Sequence, residues 1–305
     1  MYFPYLRGKQ FELEALLGVP SAVYNNTLPI VEPVNISSDR FYIRLAQQGR
    51  RFMLIMNPQY GNLNMGIVQT RLVDGALLSH PDLTLGFIVD QQSTIADLQL
   101  FLAANPTKSK AVIVRYNPIP ATLTAIAGVL RTTSPTYLIF DERTTSTRTR
   151  GAFSWHTSQV LITDGFQRQT RNSDDPNFSY FDSHVSTWSA DGWVGIGDYL
   201  SVGDFFQEGG GLPRVVTLHL TIPAASGIEM HHFSSTVNAT VQGIVGPKFA
   251  EACSQLVNSP NILGLPSSTG ILQYQDWDTR SHLPRLGAAK QASLQHHIET
   301  LSRLV

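Results

Sequence analysis

Eight short apolar runs recur along the chain, and nearly every one ends in a charged or hydrogen-bonding residue. They are Pro29–Val34, Phe52–Asn57, Leu85–Asp90, Ala111–Tyr116, Thr136–Asp141, Gln159–Asp164, Trp193–Asp198 and Val215–Leu220. Continuous runs of this length, rich in Val, Ile and Leu, suit strands buried on both faces, as in parallel sheets. The stretches between them are long enough for the crossovers that parallel neighbours require. The pattern predicts one (β/α)8 barrel of the TIM type. Residues 1–28 form an amino-terminal cap, with a helix over Gly8–Leu17 as a lid on the closed end; 29–222 carry strands one to eight; 223–305 form a carboxy-terminal helical extension.

The carboxyl ends of barrel strands form the active face. There the polar residues collect: Glu32, Asn57, Asp90, Arg115, Asp141, Asp164, Asp198 and His219. Hard divalent ions such as Mg²⁺ and Mn²⁺ take oxygen ligands, which makes Glu32 and Asp90 candidate metal ligands. Paired carboxylates can divide general acid and base work when their surroundings push their pKa values apart. Asp141, Asp164 and Asp198 are therefore candidate catalytic groups, with His184 reaching in from the loop after the sixth run. Any single strand-end Asp more readily caps the segment that follows, but five acids on one rim would repel one another without a cation or a basic substrate group.

Arg115 ends the fourth run, and Arg143, Arg148 and Arg150 lie just after the fifth. Arginine pairs bidentately with phosphate and carboxylate, so these residues either hold an anionic ligand or neutralise the rim acids. Arg115, Arg143, Tyr199, His219 and Asn57 form the candidate ligand-binding set. His231 and His232 are adjacent, and on a strand they must face opposite ways. Gly209-Gly210-Gly211 is a flexible connector or a phosphate-embracing loop before the eighth run.

Composition narrows the class. The chain has 305 residues, 42% of them hydrophobic and 15% charged, which describes an ordinary globular protein with a large core. A formal net charge of −1 gives no global field to recruit nucleic acid or an acidic membrane. The single Cys253 excludes an intramolecular disulfide framework and a multi-cysteine zinc site. No apolar stretch suits a signal peptide or a membrane span, so a soluble cytoplasmic protein is expected.

Several stretches together resemble a family of uncharacterised bacterial proteins, distantly similar to the phage beta-protein family. They include Met1–Leu13 (MYFPYLRGKQFEL), Pro29–Val34 (PIVEPV), Met56–Gly61 (MNPQYG), Gly192–Gly203 (GWVGIGDYLSVG), Ile228–Ser235 (IEMHHFSS) and His282–Glu299. The resemblance implies mobile or phage-defence gene neighbourhoods and a nuclease-like partner protein. It implies no role for any single residue. The expectation is a metal-dependent hydrolase of phosphate esters, or an enzyme-derived subunit, acting in phage defence. The alternative is a non-catalytic, ligand-sensing or scaffolding barrel subunit of a defence complex.

Overall fold

The computed structural model describes residues 1–305 apart from Glu208, Gly210 and the side chain of Ala76. Eight parallel strands follow one another in chain order: β1 (Tyr5–Leu6), β2 (Ile30–Val31), β3 (Phe52–Ile55), β4 (Leu83–Val89), β5 (Ser109–Val114), β6 (Tyr137–Asp141), β7 (Gln159–Thr163) and β9 (Gly195–Asp198). A parallel bridge between Tyr2 and Ile196 joins the two edges, so the sheet curls into a nearly closed (β/α)8 barrel. Glycine makes that seam possible. A Cβ at Gly197 would sit 1.9 Å from the carbonyl oxygen of Phe3.

Strand alternation sorts the apolar residues into two shells. Phe3, Tyr5, Ile30, Met53, Ile55, Ile88, Ile113, Ile139, Ile162 and Tyr199 fill the interior. Their sequence neighbours, among them Leu6, Val31, Leu54, Val89, Val114 and Phe140, pack outward against the helices. Both shells are buried, which is why these strands read as unbroken apolar runs. Helices Gln10–Gly18, Asp39–Gln47, Ile95–Ala103 and Pro120–Thr133 belong to the ring, as does Met65–Val68, which continues as a π-helix over Gln69–Leu77. Pro120 starts its helix in the first turn, where its missing N–H costs nothing.

Two of the eight expected strands are placed differently. Pro29–Val34 contains the second strand, not the first. The first is Tyr5–Leu6, so the helix Gln10–Gly18 follows a strand and joins the ring instead of lidding the closed end. The barrel strands therefore span Tyr5 to Asp198, not 29–222. The eighth expected strand, Val215–Leu220, overlaps β10 (Thr217–Ala224) of a separate antiparallel sheet. That sheet has the order β10-β11-β8, with β11 at Gly227–Ser234 and β8 at Phe178–Asp182. The reason is in the pattern: Leu218, Leu220 and Ile222 alternate with Thr217, His219 and Thr221. The apolar set packs on Phe249, Cys253 and Tyr274 of helices Val245–Val257 and Thr269–Thr279. Such alternation belongs to a sheet with two unlike faces.

The last helix, Leu286–Leu304, binds the two parts together. Leu294 and Ile298 join the barrel's outer shell, while Ala289 and Ala292 pack with the antiparallel sheet's helices. Among the described residues, no helix is long and apolar enough to cross a membrane.

Candidate functional site

Strand period places a layer of polar residues at the mouth, each two positions beyond an interior apolar residue: Arg7, Glu32, Asn57, Asp90, Arg115, Asp141 and Asp164, with Tyr199 completing the ring. Loops then decide what each side chain meets. Glu32 is fully buried, accepts from Tyr5 Oη at 2.8 Å and from the Gln59 amide, and pairs with Arg7. Asp141 accepts from Tyr199 Oη at 2.7 Å and lies 3.2 Å from Arg115 Nε. Asp164 pairs with Arg143 at 2.9 Å. Arginine charge and tyrosine hydrogen bonds offset the repulsion among these three acids.

At the centre stands Asp204, from the loop after β9. One of its carboxylate oxygens meets Arg7 Nη2; the other meets Arg115 Nη2 and, at 3.2 Å, Arg143 Nη2. Its backbone N–H donates to Asp164 Oδ2 at 3.0 Å, which fixes the loop over the mouth. Arg7 and Arg115 are buried, whereas the Arg143 side chain is 47% exposed. The Arg7 guanidinium also lies 4.4 Å from the Tyr60 ring centre, within cation–π range. Despite this company, Arg115 Nη1 is buried without a hydrogen-bond partner.

Burial and charge oppose each other at these groups. Desolvation pushes the Asp204 carboxyl up, Arg115, Arg7 and Arg143 pull it down, and Asp141 raises it again; the net shift is upward. Asp164 is raised too, chiefly by desolvation against the backbone N–H of Asp204 and the charge of Arg143. For Arg7, burial works against the cation, but Glu32, Tyr5 and Asp204 more than offset it and strengthen its hold on the proton.

The remaining expected site residues are engaged outside the Asp204 cluster. Asp198 faces away from the interior: it accepts from Tyr2 Oη at 3.0 Å and the Leu200 amide at 2.7 Å, and lies 3.0 Å from His297 Nε2. It is a buried anchor for the last helix, one residue out of phase with the mouth. Asn57 pairs through its amide with both backbone groups of Ile88, extending the sheet. Asp90 accepts from the amides of Gln92 and Ser93 and closes a turn. Of the two expected metal ligands, Asp90 is thus engaged by its own turn and Glu32 by Arg7, Tyr5 and Gln59. His184 pairs with Asp182 at 2.7 Å and Glu142 at 3.3 Å, beside the mouth. His219 lies in the antiparallel sheet against His232. The triple-glycine reading falls partly on Gly210, outside the described residues.

Sequence reasoning missed Arg7, Tyr5 and Asp204. The first two went with the unrecognised first strand, although Tyr5 and Arg7 keep the same two-residue step as Ile30 and Glu32. Asp204 carried no strand signal at all. Comparison with family models, with curated proteins and with solved structures finds no match.

Proposed function

We propose that this barrel binds a phosphate-bearing ligand at its carboxyl-end mouth, on Arg7, Arg115 and Arg143, and that Asp204 holds the ligand's place in its absence. One observation carries the reading: three guanidinium groups converge on a single carboxylate supplied by a loop. Asp204 is an internal stand-in for an anion. It has two oxygens for three arginines, so Arg115 and Arg143 share one while Arg115 Nη1 goes without. A phosphate group offers three or more acceptor oxygens in the same space and matches the guanidinium fork. The loop after the last barrel strand is also where such barrels commonly hold phosphate.

Recognition is favoured over metal-assisted hydrolysis, because Glu32, Asp141 and Asp164 are already engaged by Arg or Tyr. On this reading the protein is a ligand-sensing barrel whose loop position reports occupancy. Departure of Asp204 frees the loop that Asp164 holds, and a partner protein could read that change.

Titration calorimetry on the full chain tests the proposal with inorganic phosphate, a nucleoside monophosphate and acetate as probes. Saturable binding of the phosphates at one site is expected, with acetate weaker and Arg143→Ala reducing phosphate affinity about tenfold or more, as for loss of a charge-assisted pair. Equal affinity of Arg143→Ala and the parent chain would remove the arginine cradle from the reading. Release of inorganic phosphate from the monophosphate would turn recognition into hydrolysis.

A further inference from the structure

The geometry points to a second site, a divalent transition-metal centre formed by His219, His232 and Asp175 on the antiparallel sheet, separate from the barrel mouth. His219 and His232 are directly opposite in the β10–β11 pairing, so their side chains leave the same face. Their Nδ1 atoms are 2.9 Å apart. At the zinc–nitrogen distance of about 2.0–2.1 Å, this is the separation of two cis ligands subtending roughly a right angle. Asp175, from the loop before β8, brings a carboxylate oxygen such that all three donor atoms lie within 4.8 Å of one another. Among the described residues it is the one such cluster of His, Cys, Asp or Glu.

Two features favour an ion over a simple histidine pair. His232 Nε2 is 2.9 Å from Ser179 Oγ, which fixes the ring and leaves Nδ1 directed at its neighbour, as outer partners of metal-bound histidines do. The Phe166 ring packs edge-on against His219, with centroids 5.1 Å apart, and fixes the second ring. Two imidazoles and one carboxylate suit zinc or ferrous iron more than magnesium or calcium. His219 and Asp175 line a cavity of about 380 Å³ that also meets Arg168 and Lys290, so remaining coordination positions would open onto it. The two histidines were separable in sequence only by alternation: His231, next door, turns to the opposite face and pairs with Glu229 at 3.0 Å.

The test is metal titration of the tag-free, chelator-treated full chain with Zn²⁺ and with Co²⁺, whose visible spectrum reports its ligands. One ion per chain is expected, without competition from Mg²⁺. Asp175→Asn and His219→Gln should each weaken binding at least about tenfold, and Ser179→Ala up to about tenfold. His184→Gln, at the histidine beside Asp182 and Glu142, should leave it unchanged. Circular dichroism of the metal-free variants checks folding, and Asp175→Asn, at a loop position, carries the test if His219→Gln does not fold. Absence of saturable binding by the parent chain, or binding that Asp175→Asn leaves intact, overturns the site.

Discussion

Asp198 and Tyr199 are neighbours in sequence and lie on opposite sides of the barrel wall. The Tyr199 hydroxyl reaches Asp141 inside, at 2.7 Å, while the Asp198 carboxylate meets His297 of the last helix outside, at 3.0 Å. That one-residue step separates ligand chemistry from fold stability. Replacing Asp198 by Asn keeps the shape but turns one acceptor into a donor amid Tyr2, Leu200 and His297. A loss of about 1.5–3 kcal/mol is expected, the range for buried hydrogen bonds to a charged group. Denaturant unfolding should show the loss, and phosphate affinity of the folded protein should stay at the parent value. A normal unfolding curve with abolished binding would place Asp198 in the site after all.

Arg115 should behave in the opposite way, because it is buried and serves both fold and ligand. Arg115→Met leaves Asp141 without its cation and Asp204 with only Arg7 and Arg143, and should cost about 3–5 kcal/mol, as when one partner of a buried pair is removed. Adding Asp141→Asn removes the stranded charge and should recover part of that loss. Phosphate binding should be lost in both variants. A single variant as stable as the parent would mean that Arg115 contributes nothing net to the fold.

His296 supplies a pH dependence. Burial lowers its pKa to about 4, with the Thr221 carbonyl opposing and His297 and Arg303 adding to the effect. The folded state therefore keeps this ring neutral where the unfolded chain, titrating near its usual value of about 6.5, takes up a proton. Between those values the unfolded state binds more protons, so stability rises with pH, by up to about 1.4 kcal/mol per pH unit from this group. Its contribution is complete above about pH 6.5 and is lost as pH falls towards about 4. Urea midpoints measured across that window should slope upwards, and His296→Gln should flatten the slope. An unchanged slope in the variant would assign the pH dependence to other groups.

Phe3 tests the seam. It is fully buried in the interior, and its backbone N–H donates to the Ile196 carbonyl at 2.8 Å. Truncation to alanine should cost about 3–5 kcal/mol, the usual range for a large aromatic core residue. A loss under about 1 kcal/mol by chemical denaturation would mean that this edge of the barrel is not closed as described.

Much of this was legible in the pattern of residues, and the failures have physical causes. Strands buried on both faces announced themselves as apolar runs, which located six barrel strands from Phe52 to Asp198 and the second at Pro29–Val34. The first strand did not, because Tyr2, Phe3 and Tyr5 flank Pro4 and the paired stretch is only Tyr5–Leu6. The eighth run was apolar enough to be mistaken for a barrel strand, although Thr217, His219 and Thr221 already marked an alternating face. Position at the mouth was readable for Glu32, Arg115, Asp141 and Asp164 from their two-residue step beyond Ile30, Ile113, Ile139 and Ile162. The same step, starting from the seam residue Ile196, carries Asp198 outward. What those acids bind was not readable, since Arg7 and Asp204 arrive from a short strand and a loop that carry no periodic signal.

The arginine cradle is tested most directly by thermal melting of Asp204→Ala with and without inorganic phosphate. Removing the carboxylate leaves Arg7, Arg115 and Arg143 facing an empty space, so the variant should melt below the parent in anion-poor buffer. An anion that binds the folded state stabilises it by mass action. Millimolar phosphate should therefore raise the variant's midpoint more than the parent's, and calorimetry should show phosphate binding it at least about tenfold more tightly, because the internal competitor is gone. An Asp204→Ala protein whose melting is indifferent to phosphate, or which binds phosphate more weakly than the parent chain, would contradict the assignment of Asp204 as a stand-in for the ligand.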